Sequence, residues 1–285
     1  MPHAILRDLI TGFVSLVYPP HCLLCHAALA SEAAEWLCAP CWDALPENHA
    51  PWCLSCGQSL AGLGRDVACC ATCRRTPLPV AWSRAACRYE GAAKACVVTL
   101  KYHRQLGLVG PMARRMVAAA RRAPALASGS RQGRRDHGPL ASSQWGDLPS
   151  SPPPAGAGRM LGDGGDDWPA DALIPVPLHP VRQRERTFNQ AAALAQAVGR
   201  TLGLPVLEGL LIRARATALQ ASLHAQARRR NVAGAFALRP SARLRGRRVV
   251  LVDDVLTTGA TIRACARVLA AAGARRVGVL TFAHG

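Results

Sequence analysis

At 285 residues, half of them apolar, the chain is long enough for one ordinary α/β domain and a small additional module. Its 35 Lys+Arg against 17 Asp+Glu fit either a plain Arg/Ala bias or a surface that attracts phosphate-bearing partners, nucleic acid included, and charge alone does not separate the two. No stretch of 18 apolar residues occurs, which excludes a predicted transmembrane span. Arg7 and Asp8 interrupt the first apolar run and no small-residue cleavage site follows, so no secretory signal is read and a cytoplasmic protein is expected.

Residues 1–20 read as an amphipathic helix. Leu6, Leu9, Ile10, Phe13, Leu16 and Val17 recur at helical spacing, Arg7, Asp8, Thr11 and Ser15 fall opposite, and Pro19-Pro20 ends the run. Such a helix packs on its own chain or makes a peripheral membrane contact. A polar face with one cation and one anion is weak for the second role.

Residues 21–76 hold nine of the 12 cysteines. The pairs Cys22/Cys25, Cys38/Cys41, Cys53/Cys56 and Cys70/Cys73 are separated by 12, 11 and 13 residues. In a reducing compartment C-x-x-C knuckles at this spacing suit tetrahedral Zn–S4 coordination, and four of them suit two structural Zn2+ ions in a double zinc ribbon. Sequential pairing joins the first two knuckles and the last two; interleaved pairing meets the same spacing. Cys69 is an alternative to Cys70, but only Cys70 keeps C-x-x-C spacing to Cys73. His21 and His26 flank the first knuckle and are read as non-ligands, because the cysteines already suffice. Trp36, Trp42 and Trp52 lie between knuckles, where they can pack on the ribbon or stack on bases. Cys87, Cys96 and Cys265 sit in apolar settings and are expected as buried thiols.

From residue 77 an α/β domain is predicted to run to 285. Residues 81–89 read as a strand, and 92–102 and 107–122 as helices. Residues 123–170, with Ser150-Ser151-Pro152-Pro153-Pro154 and Gly162-Asp163-Gly164-Gly165, carry no hydrophobic period and read as a disordered insertion within the domain. Then follow a strand over Ala172–Val176, a helix over Asn189–Gly203, a strand candidate over Val206–Arg213, a polar stretch over 214–235, a buried strand over Arg247–Asp253, a helix over Ala260–Ala272 closed by Gly273, and a strand over Val277–Phe282. The alternation predicts a mainly parallel sheet with right-handed crossovers, flanked by helices.

The strongest local signal is Val249–Thr261, VVLVDDVLTTGAT. Four successive apolar residues suit a parallel strand buried on both faces. They end in Asp253-Asp254, followed by Thr257-Thr258-Gly259-Ala260-Thr261 and a helix. Ligands of open α/β sheets sit at the carboxyl ends of strands. A helix start offers free N–H groups and the positive end of its dipole, and glycine allows close backbone approach. Two carboxylates just ahead can accept from vicinal hydroxyls. Phosphate donors next to hydroxyl acceptors describe a ribose 5'-phosphate. There is no G-x-x-x-x-G-K-[ST] and no G-x-G-x-x-G, so neither a P-loop nor a dinucleotide fold is read.

Along these 13 residues the segment resembles the motif of type I phosphoribosyltransferases that binds 5-phosphoribosyl-1-pyrophosphate (PRPP). That resemblance implies Asp253 and Asp254 at the ribose hydroxyls, Thr257, Thr258, Gly259, Ala260 and Thr261 at the 5'-phosphate, and Mg2+ on the pyrophosphate. The departing pyrophosphate needs cations and backbone donors, for which the candidates are Lys101 and Tyr102, Val176 in Pro175-Val176-Pro177-Leu178 with Arg182 and Arg186, and Arg229 in the basic stretch Gln220–Asn231.

In chain order, Tyr18-Pro19-Pro20 before the cysteines, Lys101-Tyr102, Pro175–Leu178, Arg186-Thr187-Phe188-Asn189-Gln190, Thr217 and Gln220, Arg229 with Asn231, and the PRPP segment together resemble the ComF family of amidophosphoribosyltransferase-like competence proteins. Thr187 stands where that family more often has glycine, and the 123–170 insertion is a departure. The resemblance implies a role in natural transformation, on single-stranded DNA and alongside other DNA-uptake proteins. Two alternatives stand beside it: a metabolic phosphoribosyltransferase of nucleotide salvage, and a non-catalytic module sensing PRPP or a nucleotide. No general base is marked near the motif, so whether the protein is an enzyme stays open at this point.

Overall fold

The computed structural model of the chain describes residues 20–29, 36–63, 67–122, 170–178, 188–214, 234–240 and 244–285. The helix expected over 1–20, except residue 20, the insertion expected over 123–170, except residue 170, and Arg182, Arg186, Thr187, Thr217, Gln220, Arg228, Arg229, Arg230 and Asn231 lie outside them.

Two short helices, α1 (Ala39–Asp43) and α2 (Ala71–Arg75), each start directly after a knuckle cysteine. Then come β1 (Trp82–Arg88), α3 (Gly91–His103), a single 3-10 turn over Leu106–Leu108, α4 (Val109–Arg121), β2 (Ala172–Pro175), α5 (Gln190–Leu202), β3 (Leu211–Arg213), β4 (Phe236–Leu238), β5 (Arg248–Leu256), α6 (Ala260–Ala271) and β6 (Arg276–His284). Asn189 caps α5 by accepting from Ala191 N at 3.0 Å, and Gly203 closes it in the left-handed conformation, as expected of N-cap Asn and C' Gly.

The main sheet has the order β1-β6-β5-β2, and all three pairings are parallel. The apolar run of β5 therefore lies in the interior of the sheet, between β6 and β2. Two expectations need correction. Val206–Arg213 is not one strand: Val206 makes an isolated parallel bridge to Leu173, the chain turns at Gly209 (φ 73°), and β3 pairs antiparallel with β4 in a separate two-stranded sheet. Strand β5 does not end at Asp253: it continues to Leu256 because β6 accompanies it, with Leu256 opposite His284.

Alternate residues of the sheet feed two cores. Val250, Val252, Leu280 and Phe282 pack with α3, α4 and α5. Leu251, Val249, Val277 and Val279 pack with α6 and with the β3–β4 pair.

The cysteine module joins both cores, because it is an internal duplication. Pro20-His21-Cys22-Leu23-Leu24-Cys25-His26 and Pro51-Trp52-Cys53-Leu54-Ser55-Cys56-Gly57 fold alike. Cys22 N donates to Ala27 O and Cys53 N to Gln58 O, both at 2.8 Å, and the bridges His21–Ala28 and Trp52–Ser59 correspond. His26 (φ 61°) and Gly57 (φ 73°) occupy the same left-handed position. Only Gly57 is forced to be glycine by its surroundings, since a Cβ there would lie 2.3 Å from Ser83 O. The first copy places Cys22, Leu37 and Leu45 in the α3/α4 core, while the second places Cys53, Cys56, Cys70 and Cys73 in the α6 core.

Between the copies, residues 46–48 run along β1, the outer strand of the sheet. Arg88 N donates to Pro46 O at 2.8 Å, Glu47 bridges Cys87 antiparallel, and Asn48 N donates to Ala86 O at 3.2 Å. The linker thus covers a sheet edge that would otherwise present unpaired backbone groups. Asn48, 2% exposed, is the hub: its Nδ2 donates to Gly57 O and Ala85 O, and its Oδ1 accepts from Ser59 N. Among the described residues no helix is long and apolar enough to cross a membrane.

Candidate phosphate site and cysteine centres

The cysteines form two sets, Cys22/Cys25/Cys38/Cys41 and Cys53/Cys56/Cys70/Cys73, with the sulfurs of each set within 4.8 Å of one another. Of the two pairings open from spacing, the fold brings together the sequential one, and it uses Cys70, not Cys69. A tetrahedral Zn–S4 centre with bonds of about 2.3 Å sets its sulfurs about 3.8 Å apart. Cys25 and Cys38 Sγ are 3.5 Å apart, and Cys56 and Cys70 Sγ 3.9 Å, which fits that edge. Burial opposes ionisation of Cys22 and Cys53, but backbone N–H groups of Cys25, Cys38 and Leu24, and of Cys56, Cys70 and Ser55, outweigh it and bring each thiol down to about 6. Burial and the neighbouring sulfurs push Cys41 and Cys56 well above the ordinary thiol range. A bare set therefore resists carrying four thiolates, and a central divalent cation removes the conflict.

The tryptophans between the knuckles are used for packing. Trp42 lies under Arg115, whose guanidinium is 4.4 Å from the ring centre and whose Nη2 donates to Trp42 O. Trp52 lies under Arg84 at 4.4 Å and donates from Nε1 to Asn48 O. Trp36, 46% exposed, packs on Gly107, where a Cβ would come within 2.6 Å of the indole.

At the carboxyl end of β5 the acids diverge. Asp254, 2% exposed, accepts an ion pair from Lys101 Nζ of α3 at 2.8 Å, while its Oδ2 is buried without a partner among the described residues. Asp253 is part-exposed, and its Oδ1 accepts from Asp254 N at 2.9 Å. Burial, and then the Asp254 charge, push its carboxyl up to about 7 against a lowering pull from Lys101. Lys101, read as a pyrophosphate partner, is thus joined to an acid of the motif. Tyr102, one residue on, is exposed. Val176 is buried, its N donating to Val252 O and its O accepting from Asn189 Nδ2.

The turn Thr257-Thr258-Gly259 leads into α6. Gly259 stands at its N-cap with φ 70° and ψ 8°, and no side chain caps the helix. The first N–H groups of a 12-residue helix are thereby directed at the turn. Ala260 and Thr261 open the helix, Ala260 being 8% exposed. A cavity of about 480 Å³ opens here. One wall is the turn with Arg263; the other is Cys56, Cys70 and Cys73 of the second cysteine set with Arg75 and Leu78; His284 and Gly285 close the end. Asp253 and Asp254 do not line it.

Arg75, Arg263 and His284 were not singled out from the sequence. Arg263 fastens α6 to the segment leaving the ribbon, donating to Thr76 O at 3.0 Å and to Pro77 O. The only sequence signal for this junction is the closeness of Arg74-Arg75 to the last cysteine, which does not say what that cysteine packs against.

The family model of a double zinc ribbon domain matches residues 13–74, and that of a phosphoribosyl transferase domain matches residues 189–285. The sheet described above extends the second of these, since β1 pairs with β6. The chain is 41% identical over 110 residues to Competence protein F of Haemophilus influenzae, covering 38% of this chain and 48% of that protein. It is 42% identical over 109 residues to DNA utilization protein YhgH of Escherichia coli O157:H7, covering 38% and 47%. The chain spans about half the length of the curated relatives it matches.

Proposed function

We infer that this chain is a ComF-like protein, a phosphoribosyltransferase-fold domain behind a double zinc ribbon, which binds PRPP at Val249–Thr261 and acts in the cytoplasm on incoming single-stranded DNA. The domain division follows the same reading: an N-terminal helix over 1–20, the ribbon over 21–76, and the phosphoribosyltransferase-like domain over 77–285. The observation that carries it is the junction of β5 and α6. A buried parallel strand delivers two acids, and a glycine-capped helix start follows within five residues of the second. The relatives named above, one a competence protein and one a DNA utilization protein, support the cellular half of the reading.

In this reading the 5'-phosphate lies over the Thr257–Thr261 turn, where the α6 N–H groups and the Thr hydroxyls donate to it. Asp253 accepts a ribose hydroxyl, and Asp254 Oδ2, buried with no donor among the described residues, accepts another while Lys101 holds the opposite oxygen. Mg2+ prefers oxygen ligands and phosphates. In this reading Mg2+ would be carried by the pyrophosphate of the ligand. Bound there, it would neutralise charge on the departing group. The chain's own share is orientation of the ribose and exclusion of water. The two cysteine sets would hold structural Zn2+.

Calorimetry with PRPP and Mg2+ tests the binding. Saturable binding that Asp253→Ala with Asp254→Ala abolishes, in protein that stays folded, is expected; no heat at millimolar PRPP would end the reading. The DNA half is tested by transformation of a deletion strain. A wild-type frequency there removes the competence role.

A further inference from the structure

We propose that the second zinc ribbon is part of the ligand site: Arg75 completes an anion pocket with the Thr257–Gly259 turn and binds the same 5'-phosphate. The proposal rests on the phosphate reading of that turn and adds to it a residue from a different module.

Four observations converge. The cavity has one wall from each module, so whatever fills it touches both. Apart from the cysteines, whose charge the metal would share, its charged lining among the described residues is cationic: Arg75 and Arg263 line it, and no Asp or Glu does. Arg263 is spent on Thr76 O and Pro77 O, which leaves Arg75 as the cation facing the cavity with no ion pair to any described residue. Finally, His284, 8% exposed, lines the cavity, and its Nε2 is buried without a partner among the described residues. Burial draws its pKa down to about 4, so the imidazole is neutral at physiological pH. A buried polar nitrogen without a partner is costly unless a ligand or water meets it.

The duplication sharpens the assignment. Arg75 ends α2 as Asp43 ends α1, at the matching position of the two copies. The copy that carries Asp43 packs against α3 and α4, away from the turn; the copy that carries Arg75 faces it. Leu78 sets the distance between the walls by packing against Gly259, where a Cβ would lie 2.7 Å from Leu78 Cδ2. A guanidinium suits a phosphate because its fork of N–H donors matches two phosphate oxygens.

The test is calorimetry on the zinc-loaded full chain with two probes, ribose 5-phosphate and PRPP with Mg2+. Arg75→Ala is compared with Arg75→Lys and with Arg74→Ala, a neighbouring cation outside the cavity lining, and zinc content is measured on each. Loss of one charge-assisted contact predicts affinity weaker by about tenfold for Arg75→Ala with both probes. Arg75→Lys recovers part of it, and Arg74→Ala stays within about twofold of wild type. Wild-type affinity in Arg75→Ala, equal losses in Arg74→Ala and Arg75→Ala, or a loss confined to PRPP each overturns the proposal. Failure of the wild-type chain to bind either probe overturns the phosphate reading itself, which is a different result from binding that ignores Arg75.

Discussion

Lys101 Nζ lies 2.8 Å from Asp254 Oδ1. The pair joins the last turn of α3 to the carboxyl end of β5, so one of the two acids expected at the ligand is already held by a cation expected at the same ligand. With Asp254 almost wholly buried, removing only the cation leaves an uncompensated charge. Lys101→Met should lower stability to urea by about 3 kcal/mol. Lys101→Met with Asp254→Asn should recover most of that loss, because neither charge remains. A single mutant as stable as wild type would show that the pair contributes nothing to the fold.

The contrast between β5 and this pair shows what was legible in the sequence. Val249–Val252 is recognisable because an uninterrupted apolar run has few uses outside a buried parallel strand, and Gly259 because a glycine before a helix after Thr-Thr marks a turn. Lys101 and Asp254 are 153 residues apart, and nothing local says that they meet. The end of β5 was hidden for a similar reason: the acids look like a terminus, but the partner strand β6 carries the pairing on to Leu256. Cysteine spacing indicated two metal centres without choosing the pairing, which depends on how each copy of the ribbon folds. Arg75 was invisible because its role depends on which core the second copy joins.

Asp253 titrates near the physiological range, being pushed up to about 7 by burial and by the Asp254 charge. Its folded value lies above its unfolded one, so ionisation opposes folding. The penalty is absent below pH 3.8, builds as pH rises to about 7, and is constant above that. Asp253→Asn should therefore be the more stable protein at pH 8, by about 2 kcal/mol once solvent screening of a part-exposed group is allowed for, with the gap closing toward pH 4. PRPP affinity should rise with pH through the same interval, since the ionised carboxylate is the better acceptor. Asp253→Asn should show only the residual slope of the ligand's own phosphates. A gap in stability that widens on acidification would contradict the assigned cause.

The adjacent Cys69 and Cys70 separate a ligand from a bystander. Cys70 belongs to the second sulfur set and Cys69 does not. Metal analysis of purified protein should give two Zn2+ for Cys69→Ser and one for Cys70→Ser, with Cys25→Ser losing the other ion. If the second ribbon is a wall of the phosphate cavity, Cys70→Ser should weaken ribose 5-phosphate binding more than Cys25→Ser does. The reverse order would detach the second ribbon from the site.

Asn48 satisfies three backbone groups, two from the second copy of the ribbon and one from β1. Asn48→Ala strands two carbonyls and one N–H in a buried place, at a cost of about 3 kcal/mol. Asn48→Asp keeps the acceptor but loses both donors, and should be no better. Chemical unfolding of the three proteins checks this; a loss below about 1 kcal/mol would mean that water replaces the side chain.

Gly259 combines two demands that a single methyl group violates. Its φ of 70° is costly for any residue with a Cβ, by about 1 kcal/mol for alanine. The same Cβ would lie 2.7 Å from Leu78 Cδ2, a clash that the end of a flexible side chain can relieve by moving. Gly259→Ala should therefore lose only about 1–2 kcal/mol of stability. Binding should suffer far more, because the methyl group and the displaced Leu78 both stand where the turn meets the ribbon wall. Leu78→Ala in the same chain removes the clash but neither the backbone cost nor the methyl group at the turn. It should leave ribose 5-phosphate binding impaired even if stability improves. Full recovery of binding in the double mutant would show that the glycine serves packing against Leu78 alone, and that close approach of the turn to a phosphate is not what requires it.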